Sequence, residues 1–179
     1  ISTFDHHRLL GKAGDDWEIG SPATAQFAVI MAIINYVAGL GQKIAPDETD
    51  RRVLFEAGMK RIADHERGLL EMMLEGVDDV PGLRHMPGIT VQMDGKDLTT
   101  RDLILGVEFE KLTCEEAVAE YEKRGVITFE RALTSMYSRR MVEAFGSKGM
   151  VRLSPLHVNT PEDIKHFLQV TQEMIAAIG

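Results

Sequence analysis

One arginine, Arg152, lies in the run MVRLS, whose other residues favour a buried strand. The run ends before Pro155, and a short polar crossing leads to a helix start at Thr160. A guanidinium is a planar fork of donors that fits a carboxylate with two parallel hydrogen bonds, and the end of a strand would fix its direction. The spacing is therefore compatible with a carboxylate site, although a structural ion pair or an arginine that reaches the surface would give the same pattern.

A second candidate anion site lies at the start of the first predicted helix, where Ser21 follows Gly20 and precedes Pro22. Serine is a favoured N-cap, and proline is favoured in the first helical position. The free N–H groups of a helix N-terminus, together with the hydroxyl, attract phosphate and other anions. An ordinary helix cap needs no ligand, and both roles are compatible with each other.

Other chemistries find little support in the sequence. The adjacent His6 and His7 lie on a polar arm, where histidines are usually solvated, and His65 has no second histidine at metal-ligand spacing. A single cysteine, Cys114, excludes an internal disulfide and an all-thiolate metal site. It opens a predicted helix, a position that can lower a thiol pKa, but a buried inert thiol is the commoner case. The sequence contains no phosphate-binding loop and no dinucleotide-binding glycine motif.

The bulk composition limits the partners. A net charge of -8 argues against nucleic acid, whose binding depends on clustered lysine and arginine. No uninterrupted apolar run approaches about 18 residues, so no membrane span is predicted. The longest apolar run, residues 27–40, is instead predicted to be a buried helix. One cysteine fits a reducing compartment, and we expect a cytoplasmic protein. The polar residues 1–17 lack periodicity and follow no start signal, so we expect the C-terminal part of a larger protein.

Hydrophobic periodicity and capping signals predict the order of elements. Two long helices come first: one begins at Ser21 and ends at Gly39 to Gly41, and an amphipathic one covers residues 48–75. A turn segment then leads into alternating short strands and helices. The predicted strands are 89–93, 103–109, 126–130 and 150–154, and the later helices are 113–125, 135–145 and 160–178. The fold class is α+β, with a small mixed or antiparallel sheet of about four strands and helices packed on one face.

Three segments resemble class V aminotransferase-like enzymes, which are fold-type I pyridoxal 5'-phosphate (PLP) enzymes that include cysteine desulfurases, selenocysteine lyases and isopenicillin N epimerase relatives. The segment WEIGSPATAQFAVIMAI resembles the family's E-x-G-T segment, which opens a long buried helix. EEAVAEYEKRGVITF resembles a helix that leads into a G-I-x-x strand. VRLSPLHVNTPEDI resembles the ending R-x-S-x-x-x-Y-N-T-x-E-E-I. Together these segments span nearly the whole chain.

The resemblance implies roles for named residues. Arg152 matches the arginine that binds the α-carboxylate of the amino-acid substrate. Gly20 and Ser21 match the pair that reaches the cofactor phosphate of the partner subunit, which implies PLP and a homodimer. Asn159 and Thr160 would form the turn and helix cap that brace the arginine strand. Residues 1–46 would be an arm and helix derived from the large domain, and residues 47–179 the C-terminal small domain.

The sequence also departs from the family pattern. The lysine that carries the cofactor, and the aspartate that pairs with its ring, belong to a large domain upstream, so this segment alone is expected to be inactive. Residues 129–150 contain no cysteine where desulfurases carry their nucleophile, which disfavours sulfur transfer and leaves a lyase, an epimerase or an aminotransferase. His157, near the site in sequence, is expected to be structural. The alternative is a non-catalytic α+β module that binds a small acid or mediates assembly.

Overall fold

The computed structural model describes residues 23–179, which fall into two compact units: residues 23–61 and residues 62–179. The predicted helix start at Gly20 and Ser21 lies outside the described residues. The division into residues 1–46 and 47–179, which assigns the first segment to a large domain, stays a prediction. The helices are α1 (Thr24–Ile44), α2 (Arg51–Glu75), α3 (Cys114–Lys123), α4 (Arg139–Ala144) and α5 (Pro161–Ile178); the strands are β1 (Gly76–Val77), β2 (Val80–Pro81), β3 (Ile89–Val91), β4 (Leu105–Phe109), β5 (Phe129–Ala132) and β6 (Gly149–Leu153).

Glycines in the first unit allow α1 and α2 to approach closely. A Cβ atom at Gly41 would lie 1.9 Å from the carbonyl oxygen of Leu54, and one at Gly58 would lie 2.1 Å from that of Val37. The sequence predicted that α1 ends at Gly39 to Gly41. This prediction is wrong, because the helix continues to Ile44. Gly41 serves as a packing position between helices, and not as a cap that ends one of them.

The surface of α1 also differs from the prediction. The sequence predicted a buried helix, but only Val37, Ala38 and Gly41 are buried among its residues, and Phe27 and Ile33 are more than half exposed. The apolar character of a helix predicts that it needs a partner surface, but it does not show whether the same chain supplies one. By length and composition α1 could cross a membrane, a test that core helices of soluble proteins also pass. The expectation that no segment spans a membrane stays a prediction.

The second unit contains a four-stranded antiparallel sheet with the strand order β3-β4-β6-β5. This confirms the α+β class and the small sheet predicted from the sequence. Alternation along β4 places Leu105, Val107 and Phe109 on one face of the sheet, where they are buried, while Gly106 lies on the other face. The buried face packs against side chains of α2, α3 and α5 in one hydrophobic core, which includes Leu70, Met73, Ala117, Tyr121, Leu168 and Met174.

Tyr121 of α3 is fully buried at the centre of this core. Its ring meets Phe109 edge-on, with 6.1 Å between ring centres, and stacks on Phe167 of α5 at 5.6 Å. Its hydroxyl lies 2.7 Å from the hydroxyl of Thr171, and the Thr171 hydroxyl also donates a hydrogen bond to the carbonyl oxygen of Phe167. The buried phenol is therefore satisfied within the core, and it ties α3 to α5.

Two local differences from the sequence prediction have clear causes. The strand predicted at residues 126–130 pairs only from Phe129 onward, because Gly125 has a φ of +77° and the N–H of Val126 still bonds back to the carbonyl of Tyr121. The segment after α2 was predicted as a turn, and it contains the small β1–β2 hairpin. Asp78 forms this tight turn with a φ of +53°.

Candidate functional site

Arg152 lies near the end of β6, between two very different neighbours on the same face of the sheet. Its register partner on β4 is Gly106, which has no side chain, and its partner on β5 is Phe129. The guanidinium carbon lies 5.6 Å from the centre of the Phe129 ring, within cation–π range. The strand pairing thus fixes the backbone position of Arg152, and the Phe129 ring contacts the guanidinium on one side.

One nitrogen of the Arg152 guanidinium has no hydrogen-bond partner, as is also the case at Arg67 and Arg101. This nitrogen is the Nε atom of Arg152, which is buried. Among residues 23–179, no carboxylate lies within ion-pair distance of its guanidinium. Buried polar groups are nearly always paired, so an unpaired guanidinium nitrogen calls for a specific explanation. The alternative of a structural ion pair does not describe Arg152 in this part of the chain.

A cleft of about 400 Å³ opens beside Arg152, at the end of β6 where the chain crosses to α5. Thr128 also lines it; this residue is only 8% exposed, and its hydroxyl oxygen likewise has no hydrogen-bond partner. Arg152 and Thr128, each with one unsatisfied buried atom, thus both line a cleft whose walls are partly polar and partly apolar. The other lining residues include Met73, Val126, Ile127, Phe129, Leu153, Ser154, Pro155, Asn159, Asp163, Ile164, His166 and Phe167.

Hydrogen bonds fix the crossing from β6 to α5, and they include the helix cap at Thr160 that the sequence predicted. Thr160 caps α5 and forms a reciprocal capping box with Asp163. The side-chain oxygen of Asn159 accepts a hydrogen bond from the N–H of Leu156 at 2.8 Å, and the backbone carbonyl oxygen of Asn159 lies 2.9 Å from Nε2 of His65. These contacts fix the turn immediately after the arginine strand.

Among residues 23–179, Asp163 is the one carboxylate that lines the cleft, and it already accepts hydrogen bonds from the cap of α5. The backbone N–H of Thr160 donates to it at 2.8 Å and lowers the pKa of the carboxyl group, with a further contribution from the amide of Asn159. Its charge completes the helix cap and does not pair with Arg152. The guanidinium charge therefore remains available to a ligand.

Gly20 and Ser21 are outside the described residues, so their proposed phosphate contact stays a prediction. His157 does not line the cleft; its Nδ1 atom lies 3.8 Å from a carboxylate oxygen of Glu66 on α2. That position is consistent with the structural role expected from the sequence.

Cys114 is buried beneath β6. Burial raises the pKa of its thiol to about 12, and a hydrogen bond from the sulfur to the carboxylate of Glu115, at 3.0 Å, adds to the shift. Gly149, at a φ of +148°, passes directly over the sulfur, and a Cβ atom there would lie 2.6 Å from it. A thiol that is covered and protonated at neutral pH is a poor nucleophile.

Sequence reasoning missed Thr128 and Phe129. The alternation of VITFE already places Thr128 on one side of the chain, with Ile127 and Phe129 on the other. That pattern alone does not show that Phe129 pairs with Arg152, or that the hydroxyl of Thr128 lacks a partner. The pairing depends on the register between β5 and β6, which no local signal specifies.

The α+β fold of this chain is also found in solved structures. Two solved structures to which the chain is similar are both cysteine desulfurases. One is the apo enzyme from Thermococcus onnurineus, with a TM-score of 0.56 and 18% identity over 71% of this chain and 29% of that chain. The other is CsdA from Escherichia coli in an S-sulfonic acid form, with a TM-score of 0.50 and 15% identity over 74% of this chain and 32% of that chain.

These matches confirm, at the level of the fold, the resemblance seen in the sequence. The chain spans about a third of the length of the two desulfurases, which is consistent with the predicted C-terminal portion. No family model and no curated protein matches the sequence.

Proposed function

We propose that this chain is the C-terminal part of a PLP-dependent enzyme that acts on an amino acid, and that Arg152 binds the α-carboxylate of the substrate. The observation that carries the proposal is the unpaired guanidinium nitrogen of Arg152, which lines a cleft within a fold shared with PLP enzymes. A carboxylate would supply the missing acceptor and the missing countercharge at the same time.

The residues around the end of β6 fit the substrate-binding side of a PLP enzyme's active site. Arg152 would bind and orient the carboxylate, while Phe129 would hold the guanidinium without neutralising it. The turn at Asn159 and the cap at Thr160 would keep the end of the strand in place. When bound, the cofactor supplies an electron sink for a carbanion formed next to the substrate nitrogen. Its covalent attachment requires a lysine upstream of this segment.

The proposal also covers the cofactor phosphate, the assembly and the type of reaction. Gly20 and Ser21 would hold the cofactor phosphate of a partner subunit, so the enzyme would be a homodimer, and we place it in the cytoplasm. A lyase, an epimerase or an aminotransferase reaction is favoured over sulfur transfer. Residues 129–150 contain no cysteine, and the buried thiol of Cys114 is protonated.

The test uses the natural full-length protein, purified with and without added PLP. We expect a visible absorption band from bound cofactor that changes when amino acids are added. Each amino acid is compared with the amine that lacks its carboxylate. The wild type should respond at much lower concentrations of the amino acid, and Arg152→Ala should lose that preference. Arg139→Ala, which removes an exposed arginine paired with Glu143, is the matched control and should keep it.

The outcomes separate the parts of the proposal. A full-length protein that binds no PLP would overturn the enzyme assignment and favour the alternative of a non-catalytic module. A protein that binds PLP but whose Arg152→Ala variant still prefers amino acids over amines would show that another residue binds the carboxylate.

A further inference from the structure

On the face of the sheet that carries Arg152, four residues of β4 and β6 form a square. Gly106 lies directly opposite Arg152 across the β4–β6 pair. Side chains alternate along each strand, so the next residues on this face are Glu108 of β4 and Met150 of β6, and the same register sets these two opposite each other. Arg152 and Glu108 therefore lie on one diagonal of the square, and Met150 and Gly106 lie on the other.

The side chain of Met150 fills the diagonal that leads to Gly106. Its sulfur lies over the glycine, so closely that a Cβ atom at residue 106 would be 2.6 Å from it. Met150 is only 5% exposed, although it faces away from the hydrophobic core. The two diagonals of a square cross, so a side chain that fills one of them blocks the other. A thioether therefore stands between Arg152 and Glu108.

The charged groups at the two ends of the blocked diagonal point toward opposite edges of the sheet. The Glu108 carboxylate accepts a hydrogen bond from the side-chain amide of Gln92, which directly follows β3. The guanidinium of Arg152 lies over the ring of Phe129, on the β5 side. Long side chains on diagonal neighbours of a sheet are within reach of each other, and opposite charges there attract. The separation of these two charges thus calls for a cause.

We infer that Met150 is a positioning residue that keeps Arg152 from pairing with Glu108. It leaves the guanidinium the side of β6 where Phe129 lies, and Gly106 provides the space that the sulfur needs. A thioether is at most a weak acceptor, so it separates the two charges without binding either. The consequence for binding rests on the proposed function, because a guanidinium neutralised by Glu108 would bind a substrate carboxylate poorly.

Double-mutant cycles in the full-length protein test whether Met150 separates the two charges. Arg152→Gln and Glu108→Gln are made singly and together, in the wild type and in Met150→Ala, and urea unfolding gives the coupling in each background. We expect no coupling in the wild type and a favourable coupling in Met150→Ala, whose short side chain leaves the diagonal open. Met150→Leu, which nearly conserves volume, should show none. If Met150→Ala does not fold, Met150→Val replaces it, since valine is also short and suits a strand.

Met86→Ala is the matched control, because it removes a methionine that is 4% exposed and belongs to the core on the other face of the sheet. It should destabilise the protein as Met150→Ala does, but leave Arg152 and Glu108 uncoupled. Coupling between these two residues in the wild type would overturn the inference, and so would the absence of coupling in Met150→Ala.

Kinetics then tests the consequence for the proposed function. We expect Met150→Ala to raise KM for the amino acid about two- to fivefold, the effect of a competing, partly exposed ion pair, with kcat less affected. Adding Glu108→Gln should restore KM, whereas a merely structural defect would persist because the space stays empty. A KM that is not restored would overturn the positioning role. A full-length protein that binds no PLP would instead count against the proposed function, and the cycles would still decide whether Met150 separates the two charges.

Discussion

The guanidinium of Arg152 lies over the ring of Phe129, the residue directly opposite it across the β5–β6 pair. The ring is 54% exposed, so it forms part of the cleft wall and not of the core. A cation–π contact at such a site is worth about 0.5–1 kcal/mol. It steadies the cation without cancelling its charge, which a carboxylate partner from the protein would do. The pair is therefore suited to receiving an anion.

Removing the guanidinium should impair catalysis by the full-length enzyme. We expect Arg152→Ala to lower kcat/KM. If the ion pair between Arg152 and the substrate carboxylate is desolvated, the loss corresponds to about 2–5 kcal/mol of transition-state stabilisation. Arg152→Lys should recover only part of this loss, because an ammonium is a point charge and cannot form two parallel bonds. Steady-state kinetics with a panel of amino acids measures both effects. Unchanged kcat/KM for every amino acid would contradict the role of Arg152.

Replacing the aromatic wall should have a smaller effect. Phe129→Leu keeps an apolar side chain but removes the ring, so we expect KM for the amino acid to rise about two- to fivefold, with kcat less affected. Phe145→Leu changes another partly exposed phenylalanine that does not line the cleft, and it should leave KM unchanged. Equal KM values for Phe129→Leu and the wild type would show that the stacking does not position Arg152.

Local signals in the sequence correctly predicted helix caps and strands, which depend on residues nearby in the chain. The capping boxes at Thr113 and Thr160 are present at the expected residues, because a cap is decided within four residues. The alternation of apolar residues likewise predicted the small sheet. Features that depend on distant partners were missed or misassigned. These are the exposure of α1, the packing role of Gly41 and the pairing of Phe129 with Arg152.

The unpaired hydroxyl of Thr128 is another feature that depends on distant residues and that the sequence did not predict. Threonine in a strand-like run is usually unremarkable, and its type and spacing say nothing about whether an acceptor faces it. In the structure that oxygen is buried and has no partner among the described residues. Unsatisfied atoms of this kind become visible only when hydrogen bonds are counted in three dimensions.

Cys114 should be unreactive in the folded protein. Burial and the Glu115 carboxylate raise the pKa of its thiol to about 12, so the thiolate that reacts with alkylating agents is scarce at pH 8. We expect iodoacetamide to leave the native protein unlabelled at Cys114, and to label this residue readily in denaturant. Mass spectrometry locates the modification. Rapid labelling of native Cys114 would contradict both its burial and the argument against sulfur transfer from this residue.

Tyr121→Phe should destabilise the second unit moderately. The substitution keeps the aromatic packing against Phe109 and Phe167 but removes the buried bond to Thr171, which is worth about 1 kcal/mol. Denaturant unfolding monitored by circular dichroism measures the loss. Tyr137→Phe removes the hydroxyl of a tyrosine that is 93% exposed, so its free energy of unfolding should match the wild type. Identical stabilities for the two variants would show that the buried bond contributes nothing.

Glu75, at the end of α2, should make stability depend on pH. Its carboxylate lies 2.8 Å from Nε2 of His85 and accepts a hydrogen bond from Arg84 at 2.5 Å. These bonds hold its pKa below the ordinary value, with His85 the larger cause.

A carboxyl group with a lower pKa when folded stabilises the protein above its unfolded pKa, near 4.5, and this contribution is lost as the pH falls through the folded pKa. Arg84 also binds Asp94 through two nitrogens, so Glu75→Gln should weaken the cluster without unfolding it. We expect urea unfolding at pH 7, 5, 4 and 3 to show a shallower acid loss for Glu75→Gln than for the wild type. Glu143→Gln removes an exposed partner of Arg139 and should follow the wild-type curve. If Glu75→Gln follows that curve as well, the acid sensitivity arises elsewhere in the chain.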